Sequence, residues 1–141
     1  RIIPLSTAES PAWLGGPEAA GRRVERWRRL ALGAMKQSLR SVLPAVEDLT
    51  PLADVVAMAG EFQFRWLVDP EGQRLALPAA SMNQGLNVLL FVGSEAGFAG
   101  HERASIEAAG TVLLALGDRR LRAETAAITA LALIMHRLGE I

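Results

Sequence analysis

At 141 residues the chain is sized for one domain able to bury about two thirds of the surface its unfolded form exposes. The absence of cysteine excludes disulfides and thiolate metal sites and points to a reducing cytoplasm; two histidines, His101 and His136, are too few for zinc without carboxylate help. Net charge is zero, no apolar run is long enough to span a membrane and no signal peptide is present, so the expectation is a soluble, cytoplasmic protein with neither membrane nor metal among its partners.

Arg1 to Leu5 is short, β-branched and stopped by polar residues, which predicts a strand. Opening on arginine rather than methionine, the chain reads as processed or as a fragment. Ser6 to Gly21, rich in proline and glycine with only Trp13 and Leu14 as apolar anchor, reads as a loop. From Arg22 to Leu39 the positions Val24, Trp27, Leu30, Ala31, Ala34, Met35 and Ser38 keep helical spacing, and Arg22, Arg23, Arg26, Arg28 and Arg29 occupy the rest. Such a cluster is either a solvated helix face or a surface that tracks phosphates, and the neutral total charge hides it.

Arg40 to Val46 crosses Pro44 into an extended segment. Leu49 to Ala59 reads as a modest helix with Thr50 as N-cap and Pro51 at its first position. Phe62 to Val68, aromatic and β-branched, predicts a strand closed by the turn Asp69-Pro70-Glu71-Gly72. Leu75 to Gly85 is an unassigned connector. Asn87 to Val92 is the continuous apolar run of a central parallel strand covered on both faces, followed by the loop Gly93 to Gly97 and a helix over Gly100 to Ala109. Thr111 to Ala115 predicts another buried strand, and Glu124 to Leu138 the last helix. Strands alternating with helices give an α/β fold, a mostly parallel sheet with helices on both faces.

In the last helix, Glu124, Thr125 and Thr129 are the polar interruptions between Ala123 and Met135. A helix apolar almost all round must be covered on both sides, and a second copy supplies the cover most simply. A homodimer is therefore expected.

The loops after Val68, Val92 and Ala115 follow strand ends, where open α/β sheets bind ligands, and converge if their strands are neighbours. The loop after Val92 is neither a P-loop nor a dinucleotide fingerprint, and a tight turn explains its glycines equally well. The loop after Ala115 runs Leu116-Gly117-Asp118-Arg119-Arg120-Leu121-Arg122-Ala123-Glu124-Thr125-Ala126, charge lodged between a buried strand and an apolar helix. His101 and His136, at helix ends, read as surface or capping residues, and Trp27 and Trp66 as core rather than base-stacking platforms.

That last stretch resembles the LGxRxLRxETA signature of the RsmE family, which methylates N3 of a uridine in small-subunit ribosomal RNA. Val92-Gly93-Ser94-Glu95-Ala96-Gly97-Phe98 is similar to its IGPEGGF loop, Gln37-Ser38-Leu39-Arg40 with Pro44 to its EQSxR segment, and Ile3-Pro4-Leu5 followed by Glu9-Ser10 to its IxPLxSERS segment. The resemblance implies a SPOUT methyltransferase domain over residues 1–141, with a C-terminal trefoil knot, working as a homodimer. It implies S-adenosylmethionine held at Leu67, Val92, Gly93, Glu95, Gly97, Leu116, Gly117, Leu121 and Thr125. It further implies ribosomal RNA held at Gln37, Arg40, Arg119 and Arg122, with catalytic roles for Arg122, which would stabilise the developing uracil anion, and Glu124, which would fix that arginine or the knot loop.

The family's N-terminal RNA-binding barrel of PUA type, and a strand and helix after it, have no counterpart in these residues. Ser94, Ala96, Ala123 and Asp118 stand where the family has proline, glycine, threonine and proline. Glu9 and Lys36 stand where it has arginine and glutamate, either by independent drift or as a salt bridge kept with reversed polarity. These departures leave two rivals to the enzyme reading: a non-catalytic dimer that binds RNA or cofactor, and a sister methyltransferase for another RNA.

Overall fold

A computed structural model describes residues 1–10, 16–74 and 87–137. The Trp13-Leu14 anchor, the connector from Leu75 to Gly85 and the end of the last predicted helix lie outside them. The chain divides into two compact units, Arg1–Val55 and Val56–Ile141.

In the first unit, β1 (Leu5–Ser6) pairs in parallel with β2 (Thr50–Pro51), and an isolated bridge joins Ile2 to Val46. Between them runs α1 (Pro17–Gln37). It starts at Pro17 rather than at Arg22, because a proline in the first helical turn surrenders no hydrogen bond and its fixed φ suits the helix. Ala20 and Val24 are its buried residues. Arg28 is a structural arginine: its Nε donates to the Val46 carbonyl at 2.9 Å, and its two terminal nitrogens reach Glu25 and Asp48 at 2.6 and 3.0 Å. Glu25 first, then Asp48, raise its pKa above the ordinary value. One member of the arginine cluster is thus committed to tying α1 to the segment before β2.

Thr50 and Pro51 do not begin a helix. They pair with β1, the Thr50 hydroxyl donates to the Asp48 carbonyl at 2.8 Å, and α2 (Leu52–Ala57) starts after them. Strand pairing, through the Thr50 N–H to the Pro4 carbonyl at 2.9 Å, overrides a good local start signal. Glu9 and Lys36 are both exposed, and no ion pair joins them among the described residues. The reversed-bridge idea is thereby corrected: two long, solvated side chains gain little from pairing.

The second unit holds a parallel sheet of β3 (Phe64–Arg74), β4 (Val88–Phe91) and β5 (Val112–Ala115), in the order β4-β3-β5, with α3 (Gly100–Ala108) and α4 (Ala123–Arg137). β3, not β4, is the central strand among the described residues. The two-residue alternation of β3 sends Trp66 to one face, where it joins Leu114 and Ile134 of α4, with Phe64 and Leu90 packed against them. Leu67, Leu89 and Phe91 are buried on the opposite face, and Ile106 of α3 is fully buried. Removing a side chain such as Phe91 or Leu67 from water contributes about 1.5–3 kcal/mol each.

β3 does not end at Val68. Val68 and Gln73 both align with Leu114, so residues 69–72 leave the ladder and the chain rejoins the same strand. The turn chemistry read from Asp69 to Gly72 operates, since Asp69 Oδ1 accepts the Glu71 N–H at 2.8 Å, but it makes an excursion within a strand. Gly72 closes it. A Cβ there would lie 2.5 Å from the Leu113 carbonyl carbon, so only glycine lets the two backbones approach.

Candidate active site

β3 has β4 on one side and β5 on the other, so the carboxyl ends of all three strands lie side by side. The excursion within β3 and the segments that follow β4 and β5 enclose one cavity of about 680 Å3. Its walls are Leu67 to Glu71, Val92 to Phe98, and Leu116, Gly117 and Arg119 to Ala123, with Arg103 and Ala126 from the helices. The volume falls within the roughly 300–1,000 Å3 usual for small-molecule sites.

Each wall has its own local cause. The segment after β4 is a tight turn: the Gly97 N–H donates to the Ser94 carbonyl at 2.9 Å, and Gly97 takes φ of +79°, which favours glycine. A Cβ on Gly93 would stand 3.0 Å from Gly97 Cα, so the first glycine lets the turn close upon itself. Behind it, Glu102 is buried, and its carboxylate accepts the Ala99 N–H at 3.0 Å. That is the carboxylate half of a capping box, since alanine has no side-chain acceptor to return the bond. The segment after β5 is held across the cavity by Arg120, which donates to the Glu95 carbonyl at 3.0 Å.

The excursion after Val68 is held by Arg103. Its guanidinium reaches Asp69 and Glu71 at 3.2 Å each, and Glu107 at 2.9 Å. The hydrogen bond to Glu107 does most to push its pKa above the ordinary value, with Asp69 and Glu71 adding to it.

Of the residues expected to hold cofactor, Leu67, Val92, Gly93, Glu95, Gly97, Leu116, Gly117 and Leu121 line this cavity, as do Arg119 and Arg122. Thr125 and Glu124 do not; both are exposed in the first turn of α4, while Ala123 and Ala126 face inward. No ion pair joins Glu124 to Arg122 among the described residues. Arg122 stands just before α4, its carbonyl accepting the Ala126 N–H at 2.8 Å.

Gln37 and Arg40 belong to the first unit, at the end of α1. The Arg40 N–H reaches back to the Met35 carbonyl at 3.1 Å and the Leu39 N–H to Lys36 at 3.3 Å, with Leu39 left-handed at φ of +56°. This is the Schellman closure, with leucine where glycine is usual.

Sequence reasoning passed over Asp69, Arg103 and Arg120. In the sequence Asp69 reads as part of a turn, Arg103 lies within a helix and Arg120 fills a signature position open to any residue; the only signal is the density of opposite charges near strand ends. The cavity has apolar walls for an aromatic ring system, loop backbone beside them, and arginines at its edge for an anion. No helix among the described residues is long and apolar enough to cross a membrane, and none of their His, Cys, Asp and Glu form a cluster able to hold a metal ion.

Comparison with known proteins agrees with this geometry. Residues 1–135 match the family model for an RNA methyltransferase domain. The chain is 30% identical over 142 residues to the ribosomal RNA small subunit methyltransferase E of Bacillus subtilis, covering 96% of this chain and 55% of that protein. It is 32% identical over 130 residues to the protein of that name from Mycobacterium tuberculosis, covering 86% and 47%. Among solved structures it resembles a Legionella pneumophila protein described as a methyltransferase in complex with bound S-adenosylmethionine, with a TM-score of 0.85, 29% identity, and coverage of 96% of this chain and 54% of that one. The chain spans about half the length of the relatives it matches.

Proposed function

The chain belongs to the RNA methyltransferase domain family, and on that premise we propose that it transfers a methyl group from S-adenosylmethionine to N3 of a uridine in small-subunit ribosomal RNA. The observation that carries the reading is the cavity shared by the excursion within β3 and the loops after its two parallel neighbours, β4 and β5. Similarity to relatives named for small-subunit ribosomal RNA methylation supports the substrate, and the cofactor bound in the Legionella structure supports the donor. In this reading the two compact units make up one methyltransferase domain, with a knotted C-terminal segment, acting in the cytoplasm where ribosomal RNA is found.

The cavity residues fit the cofactor. Leu67, Val92, Leu116 and Leu121 supply apolar walls for an adenine ring, and the turn from Gly93 to Gly97 brings backbone within reach of polar atoms. When bound, the cofactor supplies an electrophilic methyl group on a sulfonium. The residues of the chain then do the positioning and the electrostatics.

N3 of uracil is a weak acid and must lose its proton before it attacks. Arg122 lines the cavity just ahead of α4, so its guanidinium and the positive end of that helix add together beside a developing anion. Arg119 and Arg120 extend the positive edge toward the phosphates of an RNA strand, and Gln37 and Arg40 are the RNA contacts offered by the first unit. Leu131 and Leu133 on α4 are exposed, and Ile128 is 69% exposed; a second copy of the chain is the cover we assign to this face.

Incubation with S-adenosylmethionine and small ribosomal subunits lacking the modification, followed by nucleoside mass spectrometry, is the test. N3-methyluridine is expected, and Arg122→Ala should abolish it while cofactor still binds. A second reading, binding without turnover, draws on Ala96, whose methyl occupies the cavity wall where the family has glycine. Cofactor binding without methyl transfer would favour it.

A further inference from the structure

The excursion at residues 69–72 forms one wall of the cavity, yet little of it is held by the sheet. Its far end is fixed by the approach of Gly72 to the Leu113 backbone. The rest depends on side chains. Asp69 and Glu71 both line the cavity, and both are gripped by Arg103, itself part of the lining. The Asp69 carboxylate is 16% exposed, whereas Glu71 is 77% exposed. Water screens the outer pair, so the grip on Asp69 is the one that counts. Glu107, one helical turn along α3 and outside the lining, braces the guanidinium from behind at 2.9 Å.

We infer that Arg103 is a positioning residue for the cofactor site. It pins the 69–72 excursion in the shape the cavity requires, and it neutralises two carboxylates that would otherwise repel one another and swing out of the wall. A planar guanidinium suits the task, because its fork meets several carboxylates at once where a lysine ammonium meets one. Glu107 acts only through Arg103.

This inference rests on the reading of the cavity as the S-adenosylmethionine site, and the experiment separates the two. Calorimetric titration with S-adenosylmethionine is performed on the unaltered protein, Arg103→Met, Arg103→Lys and Glu107→Gln, together with amide hydrogen exchange of residues 69–72 without cofactor. Arg103→Met should weaken binding roughly tenfold and speed exchange in the excursion, with the KM for cofactor rising more than kcat falls. Arg103→Lys should recover only part of the affinity, and Glu107→Gln should weaken it about two- to threefold. Glu107→Gln leaves the inner pair of Arg103 and Asp69 intact, so it remains informative if Arg103→Met does not fold.

Arg103→Met binding as tightly as the unaltered protein, or unchanged exchange at residues 69–72, would overturn the inference while leaving the cofactor site standing. So would a lowered melting temperature and kcat with the KM for cofactor unmoved, which marks general destabilisation. If the unaltered protein binds no S-adenosylmethionine, the site reading falls and takes the inference with it.

Discussion

The Arg120 guanidinium donates to the backbone carbonyl of Glu95 at 3.0 Å, joining the loop after β5 to the loop after β4 across the cavity. A side chain that bonds a backbone atom fixes the loop whatever the neighbouring side chain does. Arg120→Met should therefore weaken S-adenosylmethionine binding about threefold, the worth of one net hydrogen bond. Because Arg120 is exposed, the melting temperature should stay the same. Calorimetry and a thermal melt on one sample check both.

Gly72 makes a structural prediction independent of function. An added Cβ would meet Leu113 and Leu114 backbone atoms at 2.5 to 2.7 Å, and backbone cannot rotate away as a side chain can. Gly72→Ala should destabilise the protein by about 1–3 kcal/mol, read as a lower urea midpoint at unchanged slope. An unchanged midpoint would mean that the excursion does not rejoin β3 beside Leu113.

Leu39 predicts the opposite sign. It holds φ of +56° at the end of α1 with its side chain 93% exposed, so it bears a left-handed strain and buries nothing in return. Leu39→Gly should stabilise by roughly 0.5–1 kcal/mol, the strain relieved outweighing glycine's extra freedom in the unfolded chain. Chemical denaturation measures it directly.

The open face of α4 bears on assembly. Leu131 and Ile128 are 52% and 69% exposed on a helix whose Ala126, Ala130 and Ile134 are buried on the other side. If a second copy covers this face, Leu131→Glu should convert a dimer to a monomer in analytical ultracentrifugation at micromolar concentration. A monomer before the substitution would remove the dimer from the account.

Much of the second unit was legible in the sequence. The apolar runs of β4 and β5, the helix read after the Gly93 to Gly97 loop and the almost wholly apolar last helix matched the observed elements to within a residue or two, and the glycines after Val92 marked a real turn. What stayed hidden was set by contacts distant in sequence. Asp69-Pro70-Glu71-Gly72 has the chemistry of a strand-ending turn, and nothing local says that Gln73 will pair with the same Leu114 as Val68. Thr50-Pro51 has the chemistry of a helix start, and the partner that claims it, β1, lies more than forty residues earlier. Of the site, the glycines and apolar walls could be read, but the ties made by Arg103 and Arg120 could not, since an arginine on a helix or in a loop looks the same paired or free.

The central claim is that the loops after Val68, Val92 and Ala115 form one cofactor site. Titration with S-adenosylmethionine followed through backbone amide NMR signals tests it most directly. Shifts should concentrate at residues 68–71, 92–98 and 116–122, leaving the amides of α1 unmoved. No saturable shift at millimolar cofactor, or shifts centred elsewhere in the chain, would contradict it.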